Sequence, residues 1–389
     1  MPGSSLSPSK KIMLIAGEPS GDLQASLLLE QLQELRPQWS FFGVGGERMV
    51  RHGFERLVGV EDLALIGFAG VLRKLLFFRR LFSRMLDVLP ERRPDAVILV
   101  DYPGFNLRFA CRARERGYRV LYYIAPQVWA WGESRVKKLR DCVDLLVTVF
   151  PFEKEYFHNR GVNVRRVGHP LLSIVKPSVA KDEFFSRMGI PSAAKTIALL
   201  PGSRASEVDR HLPVMLAAAA ILSKDNPPIV PVIARSPGVP AERIRDIAAH
   251  WGITEPLITE DIYSAVAAAD LALVKSGTAT VECAMLGTPF VVMYKTGKIN
   301  YQIARRLIKT ELIAMVNLVA GKAVVPEFIQ HAATATNLAQ AAGELLTNET
   351  YRLTVIENLR RVREKLGPPG GARQAAEIVV DWLEGADDR

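Results

Sequence analysis

The chain has 389 residues, 49% of them apolar and 23% charged, the composition of a soluble globular protein with room for two domains; collagen-like, disulfide-scaffold and disordered classes are excluded. Lysine and arginine outnumber aspartate and glutamate by 50 to 41, a net charge of +9, and most of the excess lies in residues 1–170, with 26 basic against 18 acidic side chains. A basic first half predicts an anionic partner there: nucleic acid, a membrane surface or a phosphorylated substrate.

In chain order, residues 1–10 read as a loose tail. Ile12–Ala16 is the first predicted strand, and it is shorter than the apolar core of a signal peptide. Further β-branched runs follow at Phe41–Val44, Ala96–Val100, Val120–Ile124 and Leu145–Val149. Helical periodicity separates them, as in Leu23–Leu35 and Leu107–Arg116. Turn chemistry at Gly168-His169-Pro170 and Lys176-Pro177-Ser178 marks a boundary, which gives a first domain over 11–170 and a second over 171–366. The second domain repeats the alternation, with strands at Thr196–Leu200, Ile229–Ile233, Leu271–Val274 and Phe290–Met293 and helices at Leu212–Ser223 and Ala279–Leu286. Gly367-Pro368-Pro369-Gly370-Gly371 breaks a helix near Leu366. The closing segment, 367–389, carries one more amphipathic helix near Arg373–Leu383, and whether it packs back on the first domain is open at this level. Strand–helix alternation with strands apolar on both faces predicts an α/β fold of two doubly wound parallel sheets. Ligands of such sheets bind at the carboxyl ends of the strands, here in a cleft expected between the two halves.

Three cysteines, Cys111, Cys142 and Cys283, are too few and too scattered to predict a disulfide framework or a zinc site, so a reducing compartment is expected. No uncharged apolar stretch reaches ~18 residues, so no membrane-spanning helix is predicted and a cytoplasmic protein is expected.

Four loops stand directly after predicted strands. Gly17-Glu18-Pro19-Ser20-Gly21-Asp22 allows close backbone approach, with Asp22 placed to cap the following helix. It lacks the dinucleotide fingerprint, and its plainer reading is a strand-to-helix turn. Asp101-Tyr102-Pro103-Gly104-Phe105-Asn106 puts a carboxylate at a strand end. That suits a general base, or equally an Asp that closes its own turn. Pro201-Gly202-Ser203-Arg204 opens a helix. Backbone N–H groups, the helix dipole and the Arg204 fork make an anion site, while Glu207 in the first turn favours the dipole. Lys275-Ser276-Gly277-Thr278-Ala279-Thr280-Val281-Glu282 offers a second such start, with Glu282 either a ribose acceptor or a first-turn acid. Two anion-binding helix starts in one half predict a nucleoside diphosphate there. No Walker loop, no Asp-x-Asp pair and no His-Glu-x-x-His occurs, so neither metal nor cofactor is expected. The loop Ala125-Pro126-Gln127-Val128-Trp129-Ala130-Trp131 could stack on a sugar, line an acyl chain or simply pack on the core. His169 faces the cleft or serves the linker.

Mean hydropathy is +0.11, and the local apolar excess is Leu63–Leu86. On a helical wheel Val71, Leu75, Phe78, Phe82 and Met85 share one face, and Arg73, Arg80 and Arg84 the opposite one. A basic amphipathic helix predicts a membrane surface; the alternative is a helix packed on the sheet with solvated arginines. Apolar residues interleaved at helical spacing argue against nucleic acid.

Together these segments resemble one family, the bacterial lipid-A-disaccharide synthases. The matching pieces run in order: Ala16 to Asp22, Gly43-Val44-Gly45-Gly46, Asp101 to Asn106, Ala125 to Trp131, Pro151-Phe152-Glu153, Gly168-His169-Pro170, Leu199 to Arg204, Ser276 to Glu282, and Asn317-Leu318-Val319-Ala320-Gly321. The resemblance implies a GT-B fold of two Rossmann-like domains. It implies inverting transfer of 2,3-diacylglucosamine from UDP-2,3-diacylglucosamine to the 6-hydroxyl of lipid X, giving the β-1,6 disaccharide 1-phosphate and UDP. It also implies peripheral association with the cytoplasmic face of the inner membrane, and it leaves a homodimer open. Carried onto this sequence, Asp101 is the base. Gly202, Ser203, Arg204, Ser276, Gly277, Thr278, Glu282 and Asn317 serve UDP. Glu18, Ser20, Gly21, Asp22, Asn106, Gln127 and Trp129 serve the acceptor. The chain departs from the family at Gly104, where an acid is frequent, and at Gln24-Ala25-Ser26, where His-Gly-Ala is frequent. Rival readings are a UDP-sugar 2-epimerase and a non-catalytic nucleotide-sugar-binding membrane protein.

Overall fold

The computed structural model describes residues 9–60, 71–225, 229–297, 301–302 and 312–385. The chain divides into two compact units, Met1–Leu172 with Gly367–Arg389, and Ser173–Leu366.

The first unit holds strands β1 (Lys11–Ala16), β2 (Ser40–Gly45), β3 (Glu55–Gly59), β4 (Ala96–Val100), β5 (Arg119–Tyr123), β6 (Leu145–Thr148) and β7 (Val164–Arg166). Its helices include α1 (Pro19–Leu35), α2 (Glu47–Val50), α3 (Val71–Arg92), α4 (Pro103–Glu115), α5 (Val128–Trp131), α6 (Val136–Cys142) and α7 (Pro151–His158). The sheet is ordered β3-β2-β1-β4-β5-β6-β7, parallel between neighbours, with Ile15 opposite Leu99 and Ala16 opposite Val100. The order reverses between β1 and β4, so the loops after those two strands flank the switch point where such sheets bind ligands.

The second unit repeats the plan with β8 (Lys195–Leu200), β9 (Ile229–Ala234), β10 (Leu257–Thr259), β11 (Leu271–Lys275), β12 (Phe290–Tyr294) and β13 (Glu327–Ile329), in the order β10-β9-β8-β11-β12-β13. Its switch point lies between β8 and β11. The loop after β8 leads into α8 (Ala205–Asp225), and the loop after β11 leads into α9 (Ala279–Leu286). Helix α10 (Gly371–Glu384) closes the first unit. It packs on α1: Arg36 grips Glu384 with two 2.6 Å hydrogen bonds, and Arg119 lies 4.3 Å from the Trp382 ring centroid. Its own Ala375, Ala376, Val379, Val380 and Leu383 are buried.

Two expectations are corrected here. Cys111 on α4 and Cys142 at the end of α6 form a disulfide, with Cα atoms 4.7 Å apart. A separation of 31 residues carries no information about proximity once two helices lie side by side. The second correction concerns α3. The expected membrane face at Val71 and Leu75, and Arg73 opposite it, lie outside the described side chains. Phe82 packs on Phe105 and Phe109, with ring centroids 5.4 and 5.9 Å apart. Phe78 meets Tyr102, and Met85 is fully buried. The apolar face of this half of the helix therefore covers the unit's own core instead of lipid, because the aromatic run along α4 supplies it a partner. Arg80 and Arg84 are exposed on the other side. Among the described residues, no helix is long and apolar enough to cross a membrane.

Candidate functional site

At the first switch point the chain turns on two consecutive residues in the left-handed region, Asp101 (φ 49°) and Tyr102 (φ 51°). Each costs about 1–3 kcal/mol and persists only where its surroundings hold it. The holding groups are visible. Asn106, wholly buried, donates from Nδ2 to the Asp101 carbonyl at 2.8 Å and to the Val100 carbonyl at 3.2 Å. The Tyr122 hydroxyl donates to the same Asp101 carbonyl, and Asp101 N donates to the Tyr123 carbonyl at 3.2 Å. Burial, and then the charge of Asp101, pushes the Tyr122 phenol well above its ordinary pKa, so it stays a donor. The two loops of this switch point touch: a Cβ on Gly17 would lie 2.3 Å from the Tyr102 ring. Asn106 thus acts on Asp101 from beneath and is not itself a surface that a substrate reaches.

In the first loop, Glu18 is half-exposed, Ser20 exposed and Gly21 buried. Asp22 departs from expectation. It lies within the first turn of α1, 6% exposed, and its Oδ1 accepts from Gly46 N at 2.8 Å. It caps α2, not the helix that follows it, because the turn after β2 brings unpaired N–H groups to it. Burial is the main influence on its carboxyl and raises its pKa against those bonds.

The aromatic loop is anchored by an acid. The Trp129 indole N–H donates to Glu153 Oε1 at 3.3 Å, and Phe150 N donates to Oε2 at 3.2 Å. The Trp129 ring stands edge-on to Phe152 at 4.9 Å, while Gln127 stays exposed. Glu153 is fully buried, and burial pushes its carboxyl up to about 8, against the opposing bonds from Phe150 and Trp129. A carboxyl whose folded pKa lies above its unfolded value contributes stability that is complete below about 4.5 and is lost as pH rises towards 8. Wild type should therefore lose stability relative to Glu153→Gln between pH 5 and pH 8, with a slope of at most about 1.4 kcal/mol per pH unit. Urea denaturation at several pH values measures this; parallel curves for the two proteins would remove the effect. His169, nearby against Phe150, is 3% exposed, and burial lowers its pKa to about 4, so it is neutral.

At the second switch point, Gly202 has φ 129°, and a Cβ there would lie 2.5 Å from Glu207 Oε2. Only glycine lets the loop close over that carboxylate. Glu207 accepts from Ser203 N at 3.0 Å and pairs with Lys275 Nζ at 3.0 Å; Arg204 lies 3.6 Å away. Burial works to raise the Glu207 carboxyl, but Lys275, Arg204 and the Ser203 N–H outweigh it and hold it below its usual value. Ser203 and Arg204 are exposed. His211 is locked beneath them. Its Nε2 accepts from Lys295 N at 3.0 Å, which leaves Nδ1–H to donate to the Pro201 carbonyl at 3.1 Å. Burial lowers its pKa, consistent with that neutral form.

In the second loop, Thr278 is exposed and Gly277 half-exposed. The Ser276 hydroxyl donates to the Ile313 carbonyl at 3.3 Å. Glu282 Oε1 accepts from the Tyr263 hydroxyl at 3.2 Å. Asn317 is corrected. Expected beside the diphosphate, it is wholly buried. Its Nδ2 donates to the Val325 carbonyl at 3.0 Å and to Glu327 Oε1 at 2.7 Å, and its Oδ1 accepts from Val324 N and Val325 N. Its capacity is spent on tying its own helix to β13. Among the described residues, no group of three or more His, Cys, Asp or Glu is placed to hold a metal ion.

Sequence patterning passed over Tyr122, Glu153, Glu207, Tyr263 and Lys275 as site residues. Lys275 did leave a signal, as the one charge ending an otherwise apolar strand. Tyr122 left none, because a strand tyrosine looks like core.

The fold of the two sheets is similar to that of solved nucleotide-sugar enzymes. The UDP-GlcNAc 2-epimerase from Neisseria meningitidis, solved bound to UDP-GlcNAc, superposes with a TM-score of 0.64 over 96% of this chain and 100% of that one, at 14% identity. That likeness defines the class of fold, GT-B. The family model described as Lipid-A-disaccharide synthetase matches residues 12–378. The lipid-A-disaccharide synthase of Trichlorobacter lovleyi is 39% identical over 96% of this chain and 98% of its own length, and that of Geobacter sulfurreducens 38% over the same shares. The chain belongs to the lipid-A-disaccharide synthetase family and is a glycosyltransferase of lipid A biosynthesis.

Proposed function

We propose that the chain transfers 2,3-diacylglucosamine from UDP-2,3-diacylglucosamine to the 6-hydroxyl of 2,3-diacylglucosamine 1-phosphate, with inversion at the anomeric carbon. Family membership across residues 12–378 supports the reaction. The observation that carries its chemistry is Asp101, a carboxylate set at a switch point on a clamped left-handed backbone. Asp101 takes the proton of the attacking hydroxyl as the sugar–UDP bond breaks. The second unit holds UDP. Gly202, Ser203 and Arg204 face the diphosphate with Ser276, Gly277 and Thr278, and Glu282 accepts from the ribose. Donors fixed in place before reaction stabilise the charge that develops on the departing diphosphate. Glu18, Ser20 and Gln127 meet the acceptor. The acyl chains stay in the cytoplasmic leaflet of the inner membrane, to which the exposed Arg80 and Arg84 of α3 are drawn at about 1 kcal/mol per charge.

Mass spectrometry of purified protein with both acylated sugars, detergent and a chelator tests this. The expected product is a disaccharide 1-phosphate with free UDP. Product only after a metal is restored keeps the transfer and removes the account of the leaving group. An epimerised UDP-sugar formed without acceptor, or UDP binding with no product under either condition, overturns the reading.

A further inference from the structure

The two phosphate-type loops of the second unit meet at a carboxylate. Ser203 N lies 3.0 Å from Glu207 Oε2, and Lys275 Nζ lies 3.0 Å from Glu207 Oε1. The ammonium rests against Gly277, where a Cβ would lie 3.4 Å from Nζ, and 5.8 Å from the Tyr294 ring centroid. The Lys275 and Glu207 side chains are only 19% and 14% exposed. A backbone N–H and an ammonium from two different elements, closing on one anion, are the donors that recognise a phosphate oxygen. The carboxylate, with one oxygen on each donor, stands in for the oxygens of a phosphate.

We propose that Lys275 is a further diphosphate-binding residue, and that Glu207 is the internal anion that holds Lys275 and the Ser203 N–H until the nucleotide displaces it. This rests on the reading that the second unit holds UDP. A largely buried carboxylate–ammonium pair is close to neutral in net energy, because desolvation offsets attraction. A diphosphate brings more negative charge to the same donors, so the exchange runs towards the ligand. The displaced carboxylate stays beside Arg204, 3.6 Å away, whose several N–H donors serve it and the diphosphate together, so no charge is stranded.

Calorimetry on the full chain with UDP and with uridine separates this role from a structural one, since uridine carries no phosphate. Lys275→Met should weaken UDP binding by about tenfold and uridine binding by less than about twofold. Glu207→Gln should tighten UDP binding by about threefold and leave uridine unchanged. Lys275→Met leaves Glu207 with one cation fewer and can unfold locally, so the double variant Glu207→Gln/Lys275→Met, which buries no charge, is the second arm. It should still bind UDP about tenfold more weakly than Glu207→Gln alone. Equal losses for UDP and uridine, or weaker UDP binding in Glu207→Gln, overturn the assignment. A wild-type chain that binds neither compound overturns the nucleotide reading itself. A chain that binds UDP with a UDP-to-uridine ratio unmoved by either substitution overturns only the role of Lys275.

Discussion

Asp101→Asn is expected to lower kcat by about 10²–10⁴-fold and to leave UDP affinity unchanged. The clamp on this residue grips main-chain atoms: Asn106 and Tyr122 donate to its carbonyl, and its own N–H reaches Tyr123. Asparagine in its place keeps all of these main-chain bonds, so the turn is not released. Asparagine is also among the few residues that tolerate the left-handed region, so the variant keeps the turn and loses the charge and the capacity to take a proton. On the proposed reading UDP is held by the second unit, so its affinity should not register the change. Turnover within a few-fold of wild type would remove Asp101 as the base. Asp101→Ala should show a second effect, a loss of stability, because alanine tolerates φ near +49° poorly.

Gly371→Ala is expected to cost more than about 3 kcal/mol of the first unit's stability. A Cβ on Gly371 would lie 1.8 Å from the Gly168 carbonyl oxygen, and one on Gly168 would lie 2.3 Å from the Pro368 carbonyl oxygen. Both obstacles are backbone, so no side chain can swing aside. The same crossing is pinned by Gly168 N donating to Gln374 Oε1 at 3.0 Å. Forcing it apart undocks α10 from α1. Hydrogen exchange should then show lost protection in both helices, with the second unit unchanged. Gly370→Ala is the control: a Cβ there meets nothing within 4 Å, so its penalty is confined to backbone conformation. Equal, small losses in both variants would mean that the crossing relaxes.

Nine strands were legible in the sequence. The four that were not, β3, β7, β10 and β13, are the outer strands of the two sheets. An inner strand such as Ala96–Val100 is covered on both faces and reads as an unbroken apolar run. An outer strand such as Val164–Arg166 or Glu327–Ile329 is short and half-exposed, so no hydrophobic signal marks it. The site divides the same way. Loops that follow inner strands were found from position and turn chemistry, including Asp101 and Ser203. The groups that aim them were not: Tyr122 and Tyr263 act across gaps of 21 and 19 residues that only the fold closes, and Glu207, seen as a first-turn acid, gave no sign of its pairing with Lys275. Asn317 and Asp22 show the converse: polar residues in well-placed segments whose hydrogen bonds are consumed by the scaffold. The aromatic face of α3 was seen correctly as a stripe, but a stripe does not say whether core or lipid covers it.

The first unit is assembled from two distant stretches of chain, for Arg36 and Glu384 are 348 residues apart. This sets an order of events during synthesis. The second unit is continuous and can fold as it leaves the ribosome, whereas α1 must wait for the whole of 173–366 to be made before α10 exists. At about 5–20 residues per second, that delay is roughly ten to forty seconds. For that time the nascent protein carries an uncovered apolar helix face in its first unit. A holding chaperone acting on this chain would have its target there, and it would be released when the last helix arrives.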